Sequence, residues 1–229
     1  MKKTMLLLVT IASVLIVVPG CFRREIEVRL PCGEELVKNG SFEDGTFSDG
    51  NPTQLTDLNN CTTGSDRCLL NWQVSPSARG NPVQWFQTPT PVGGIPPDPD
   101  PNERRFLDLS GATHKSPFPT VHQTIQHLDA GNYQLQFDLG QGNAPPSFSG
   151  PVALQITLVS EARGFETIST IQTDASGRLW QTRTIPLWIP RSTDLQLFFQ
   201  ARADQTKSFV GLDNVSLRQL KPVGDCLRP

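Results

Sequence analysis

Leu128-Asp129-Ala130-Gly131-Asn132-Tyr133-Gln134-Leu135-Gln136-Phe137-Asp138-Leu139 is the stretch on which the fold reading turns. After a turn made by Asp129 to Asn132, apolar side chains at 133, 135, 137 and 139 alternate with polar ones at 134, 136 and 138. Successive side chains of a strand point to opposite faces, so this is a strand with one buried and one wet face. Working outward, Val152, Leu154, Ile156 and Leu158 repeat the pattern against Ala153, Gln155 and Thr157. Leu195, Leu197 and Phe199 repeat it against Gln196, Phe198 and Gln200. Further strands are expected at 69–74, 83–87, 105–109, 121–128, 165–172, 179–187 and 208–217, divided by Gly, Pro, Asn and Asp. Beyond the N-terminal leader no long window carries the spacing of an amphipathic helix. Many short half-buried strands without helices predict an all-β fold, a β-sandwich and most simply a jelly roll.

Two stretches fall outside this pattern. Residues 44–67 are polar and rich in Gly, Asn, Asp and Thr, and 89–103 (PTPVGGIPPDPDPNE) is too rich in proline to join a ladder. Loops of this length in a compact domain are usually binding loops or lids. No internal repeat is visible.

The N-terminus carries an address. Met1-Lys2-Lys3 is a basic start, followed by an apolar run from Met5 to Val18, 14 residues. As a helix this run is about 21 Å long, short of the roughly 30 Å of a bilayer core and of signal-peptide length. It ends in Val18-Pro19-Gly20-Cys21, which resembles a bacterial lipobox, in which the Cys thiol receives diacylglycerol before cleavage. The expected organisation is a signal peptide over 1–20, a charged tether over 21–31 and one domain over 32–229. Cys21 is the expected lipidation site and the bacterial membrane or cell surface the expected location.

Export places the remaining cysteines in an oxidising compartment, where an even set reads as disulfides. Cys32, Cys61, Cys68 and Cys226 permit three pairings. The expected ones are Cys61 with Cys68, a local loop staple, and Cys32 with Cys226, which ties the ends of the domain together. Formal charge is -2, so there is no basic field for a phosphate backbone, and nucleic acid is not expected as a partner. Three His, 8 and 5 residues apart, offer no close metal pair, and neither G-x-S-x-G nor H-E-x-x-H occurs.

Three segments carry a resemblance: Lys38-Asn39-Gly40-Ser41-Phe42-Glu43, Phe106-Leu107-Asp108-Leu109-Ser110-Gly111 and Val210-Gly211-Leu212-Asp213-Asn214-Val215-Ser216-Leu217. They resemble the galactose-binding-like β-sandwich superfamily, most closely the proteins of domain of unknown function 642, found in plant cell walls and as exported bacterial proteins. The segments around 128–137 and 139–143 are similar to that family's middle strands. The resemblance implies a jelly roll with its first and last strands side by side, often a structural calcium near them, and polysaccharide binding.

Candidate site residues follow. Asp213 shares strand parity with Val215 and Leu217, which sets a carboxylate along an apolar row, and a buried charge there calls for a cation or several donors. Calcium is the expected cofactor, held by Asp213, with Glu43 as the partner that the resemblance implies and backbone carbonyls completing the shell. Turn capping by Asp213 and Asn214 is the simpler alternative, and Asp108 is expected to face solvent. For sugar stacking the candidates are Trp85, followed by Phe86 and leading into the proline-rich loop, and then Trp188, with Asn143, Gln141 and Gln134 as hydroxyl-binding amides. Trp72 and Trp180 are expected in the core. The function expected is a non-catalytic, lipid-anchored polysaccharide-binding protein. The alternative is a structural or adhesive envelope protein that binds protein.

Overall fold

In the computed structural model the described residues are 29–46, 53–55, 68–75, 82–87, 105–110, 117–141, 152–160, 166–175, 180–202 and 210–226. The short elements come first: β1 (Arg29–Leu30), β2 (Gly45–Thr46), β3 (Thr53–Leu55), β4 (Cys68–Leu69), β5 (Gln73–Ser75), β6 (Val83–Gln87) and β7 (Arg105–Asp108). The long strands are β8 (Thr120–Leu128), β9 (Gly131–Gln141), β10 (Val152–Ser160), β11 (Glu166–Ala175), β12 (Gln181–Ile189), β13 (Thr193–Ala201) and β14 (Val210–Gln219). The chain then forms β15 (Lys221–Pro222) and a single helical turn, α1 (Val223–Cys226). Among the described residues no helix is long and apolar enough to cross a membrane.

Two antiparallel sheets form a β-sandwich. One has five strands in the order β11-β10-β13-β8-β5, the other six in the order β12-β9-β14-β7-β6-β3. The turn at 129–130 does not close a hairpin: it carries the chain from β8 in one sheet to β9 in the other. The Tyr133 hydroxyl donates to the carbonyl of Asp129 at 2.8 Å and fixes that corner. The alternation read from sequence holds on both sides of it. Tyr133, Leu135, Phe137 and Leu139 from one sheet meet Leu195, Leu197 and Phe199 and Val152, Leu154 and Ile156 from the other, all buried. Phe137 and Phe199 meet edge to face across the interior, their centroids 5.7 Å apart.

The three segments that carry the family resemblance converge on one seam. The chain from 33 to 40 runs beside β14, with Gly33 N–H donating to Gln219, Leu36 N–H to Leu217 and Val215 N–H to Gly40. A Cβ on Gly40 would drive into the carbonyl oxygen of Val215, so only glycine allows the two backbones to lie this close. Asn39 adopts φ 51°, and its side chain accepts from Asp44 N–H and donates to the carbonyls of Asp44 and Leu70, each at 2.9 Å. The indole N–H groups of Trp72 and Trp85 donate to the carbonyls of Asn39 and Phe42. Gln123, which points inward, acts as a backbone mimic: its carbonyl accepts from Lys38 N–H while its amide donates to the carbonyls of Lys38 and Asn71.

Cys32 and Cys226 are bridged, their Cα atoms 5.6 Å apart across 194 residues of sequence. β1 pairs with β15 beside them. The expected neighbouring ends are therefore present. Cys61 and the side chain of Cys68 lie outside the described residues.

In the chain-entropy model a loop of this length is worth about 5 kcal/mol as an upper figure. For a domain of this size that corresponds to about 10–20 °C in melting temperature. The Cys32→Ser protein is expected to melt at least about 5 °C below wild type in differential scanning calorimetry, and reduction of wild type should reproduce the shift. Coincident melts would show that β1, β15 and the seam hold the ends without the bridge.

Candidate functional site

The structure scatters the residues expected from sequence to form a site. Trp85 is fully buried, not at a rim. β6 lies inside its sheet between β7 and β3, and Trp85 shares the inward parity of Val83, with one ring face under the Arg105 guanidinium at 5.1 Å. Its closeness in sequence to the proline-rich loop does not expose it, and no sugar can stack on it. Phe86 points to the opposite face yet is also buried, stacked on Phe106 with centroids 5.3 Å apart. Trp180 closes that end of the face, edge-on to Phe106 at 5.3 Å. Its ring lies on Gly140 and Gly211, where a Cβ would come within 2.8 and 2.7 Å of it. Trp188 is exposed, at 59%. Asn143 lies outside the described residues, as does Cys21.

The acidic candidates also differ from expectation. Asp108 is fully buried rather than solvent-facing. Its Oδ1 accepts from Ser110 N–H at 2.9 Å, the Ser110 hydroxyl at 2.6 Å and Val210 N–H at 3.2 Å. Its Oδ2 is buried with no hydrogen-bond partner among the described residues.

Asp213 is buried, but it does not sit in the apolar row of Val215 and Leu217. Asn214 takes φ 50° and the β14–β9 register shifts between Asp213 and Ser216, so parity inverts there. Val210 and Leu212 before this bulge, and Val215 and Leu217 after it, all reach the core. Asp213 is left on the outer face opposite Asp138. Its Oδ1 accepts from Asn214 N–H at 2.8 Å, the turn-capping arrangement.

Glu43 is engaged by Arg105: Oε1 accepts the backbone N–H at 2.6 Å, and Oε2 is 3.9 Å from Nε. Among the described residues no three His, Cys, Asp or Glu gather as metal ligands. Calcium takes six to eight oxygens, and this donor set does not by itself make up such a shell.

The arrangement with binding chemistry is the outer face of the five-stranded sheet, which the sequence reading passed over. Register places Gln73, His122, Phe198 and Thr157 in one row across β5, β8, β13 and β10. His122 and Phe198 stack on one another, centroids 4.7 Å apart and planes 24° from parallel, and set an aromatic pair among polar side chains in the middle of the face. The row on one side is Ser75, Thr120, Gln200 and Gln155; the row on the other includes Thr124, Gln196 and Val159. Burial holds the His122 pKa below its usual value, so the imidazole is neutral at neutral pH. No described residue in these three rows carries a charge. Gln200 is oriented by its amide, which donates to the Phe118 carbonyl at 2.9 Å. The sequence signal was present in the strand Leu195-Gln196-Leu197-Phe198-Phe199-Gln200. An aromatic on the polar parity of an alternating strand is the anomaly that marks such a face.

No family model matches the chain, and no curated protein matches it in sequence. Solved structures do match it in fold. The CBM22-1 xylan-binding domain of Xyn10C from Paenibacillus barcinonensis is 14% identical with a TM-score of 0.50, over 83% of this chain and 97% of that one. An arabinose-bound α-L-arabinofuranosidase, MgGH51, is 15% identical with a TM-score of 0.50, over 82% of this chain and 28% of that one. At these identities the likeness establishes a shared β-sandwich fold.

Burial pushes the Asp108 carboxyl up from 3.8 to about 7, against the opposing pull of its Ser110 and Val210 bonds. The unfolded chain keeps the ordinary value, so between the two pKa values the folded state binds the extra proton. The stability contributed is full below the unfolded value and is lost as pH rises toward about 7, by up to roughly a factor of ten in the folding constant per pH unit. Urea denaturation at pH about 5 and about 8 should show wild type weaker at the higher pH, and Asp108→Asn should lack most of that difference. Equal pH dependence in the two proteins would overturn the assignment to Asp108.

Proposed function

We propose that this protein is a non-catalytic polysaccharide-binding module, and that its ligand lies across the outer face of the five-stranded sheet. The observation that carries the reading is the stacked His122–Phe198 pair set between rows of Gln, Thr and Ser side chains. A pyranose presents an apolar face bounded by hydroxyls. An aromatic floor takes the first, and amides and hydroxyls at strand spacing take the second. The absence of charge from the three described rows favours a neutral glycan, and nothing in those rows supplies the pair of carboxylates that glycoside hydrolysis needs. A fold shared with a domain described as xylan-binding makes xylan the first probe. We further infer the jelly-roll topology of the galactose-binding-like superfamily, in keeping with the neighbouring first and last segments.

Two proposals rest on sequence alone. Lipid attachment at Cys21 would hold the module at a bacterial membrane, and Cys21→Ser should then move the protein from the membrane to the soluble fraction. Retention of the variant in the membrane would make the leader an uncleaved anchor. A structural calcium involving Glu43 and Asp213 would rest on the family resemblance. A fall in melting temperature on adding a chelator supports it, and an unchanged melt removes it.

Calorimetric titration of residues 22–229 with a panel of neutral oligosaccharides headed by xylohexaose tests the main reading. Aromatic stacking is worth on the order of 1–3 kcal/mol, by analogy with bases stacked on aromatic side chains. Phe198→Ala should therefore weaken binding about 5- to 150-fold while the melt stays cooperative. A responsive glycan whose affinity is unchanged by Phe198→Ala would place the site elsewhere. Silence across the panel from folded wild type would move the function to protein contacts at the envelope.

A further inference from the structure

We propose that the outer face of the six-stranded sheet holds a second saccharide site, distinct from the first and selective for glycans that bear carboxylates. The site does not depend on the five-stranded face, which lies on the other side of the sandwich.

A cavity of about 520 Å³ opens on this face, within the range of small-molecule sites. Its floor comes from β9 and β14, with Gln134 and Gln136 opposite Arg218 and Ser216, and the segment beginning at Pro31 lines its side. Glu35 also lines it, but its oxygens are engaged. Oε1 accepts from Val37 N–H and Leu217 N–H, and Oε2 accepts from the Ser216 hydroxyl and Arg218 Nε. Arg218 is different. Its side chain is 45% exposed, Nε is held at 3.1 Å from Glu35, and the two terminal nitrogens make no hydrogen bond among the described residues. The guanidinium is thus oriented by a carboxylate behind it and presents an N–H pair to the groove, the fork that binds a carboxylate through two oxygens.

The apolar partner is Trp188. On β12 it points outward between buried Leu187 and Ile189, and it is the most exposed large apolar side chain among the described residues. Register sets Trp188 opposite Asn132 and Pro186 opposite Gln134, which in turn faces Arg218. From strand spacing and rise, the Cα atoms of Trp188 and Arg218 are about 12 Å apart with the Gln134 amide between them. A short oligosaccharide can then stack one ring on Trp188, bond its hydroxyls to Gln134 and Gln136, and place the carboxylate of a following ring on Arg218. The three rows of the first face hold no counterpart of Arg218, so the two sites differ in ligand.

The test uses two probes that differ only at C6, a β-1,4-linked mannuronate hexamer and β-1,4-mannohexaose, titrated into the folded residues 22–229. The uronate should bind at least about tenfold tighter than the neutral hexamer, and more weakly as salt is raised. Trp188→Ala and Arg218→Gln should each weaken uronate binding about tenfold or more. Arg218→Lys should recover only part, because an ammonium lacks the fork. Phe198→Ala should leave uronate binding unchanged. No saturable uronate binding, equal affinity for the two hexamers, or loss of uronate binding in Phe198→Ala would each overturn the second site. These outcomes are separate from failure of the first face, which is read with neutral glycans and with Trp188 intact.

Discussion

The approach of two backbones at Gly40 and Val215 is the constraint around which the rest of the structure is arranged. It brings the segment from Gly33 to Gly40 alongside the last long strand, and the groups that satisfy that segment's carbonyls, and that of Phe42 just beyond it, are drawn from across the fold. The indoles of Trp72 and Trp85 bond the carbonyls of Asn39 and Phe42, and Gln123 bonds Lys38 through both ends of its amide. Because these large side chains are committed to the seam, they are unavailable at the surface. A buried backbone carbonyl left unpaired would cost on the order of 1–3 kcal/mol, so the commitment is one the fold cannot easily release.

With the interior occupied in this way, binding chemistry falls to the outer faces of the two sheets. The five-stranded sheet presents an aromatic pair among neutral amides and hydroxyls. The six-stranded sheet presents Trp188, two amides and a guanidinium oriented by Glu35. Both faces follow from strand alternation: each strand that supplies an apolar residue inward must place its neighbour outward. The sandwich therefore presents polar and aromatic side chains on both outer faces at no cost to its core. One end of the six-stranded face is covered by Trp180 over two glycines, and the open groove lies in the Gln134–Arg218 region.

The corrections share a cause. The proline-rich loop beside Trp85 in sequence suggests a rim, whereas burial is set by neighbours in the sheet, β3 and β7. Counting in twos sets Asp213 in an apolar row, and one bulge at Asn214 inverts the count. Asp108 looked like an outward strand carboxylate. Outward it is, yet it is fully buried and accepts its hydrogen bonds from Ser110 and Val210.

Local sequence determined the strands, the switch of direction at 129–132, the expectation of disulfides and the β-sandwich itself, while the choice of Cys226 for Cys32 among three pairings was made by the closed fold. Those features depend on alternation, turn chemistry and cysteine parity, which the chain carries residue by residue. The tertiary structure alone decided which outward residues became neighbours. His122 and Phe198 are 76 positions apart and stack only because β8 and β13 pair in one register. Glu35 and Arg218 meet only because Gly40 lets the ends lie together. Register and backbone approach are collective properties of the closed sandwich, and no window of sequence contains them.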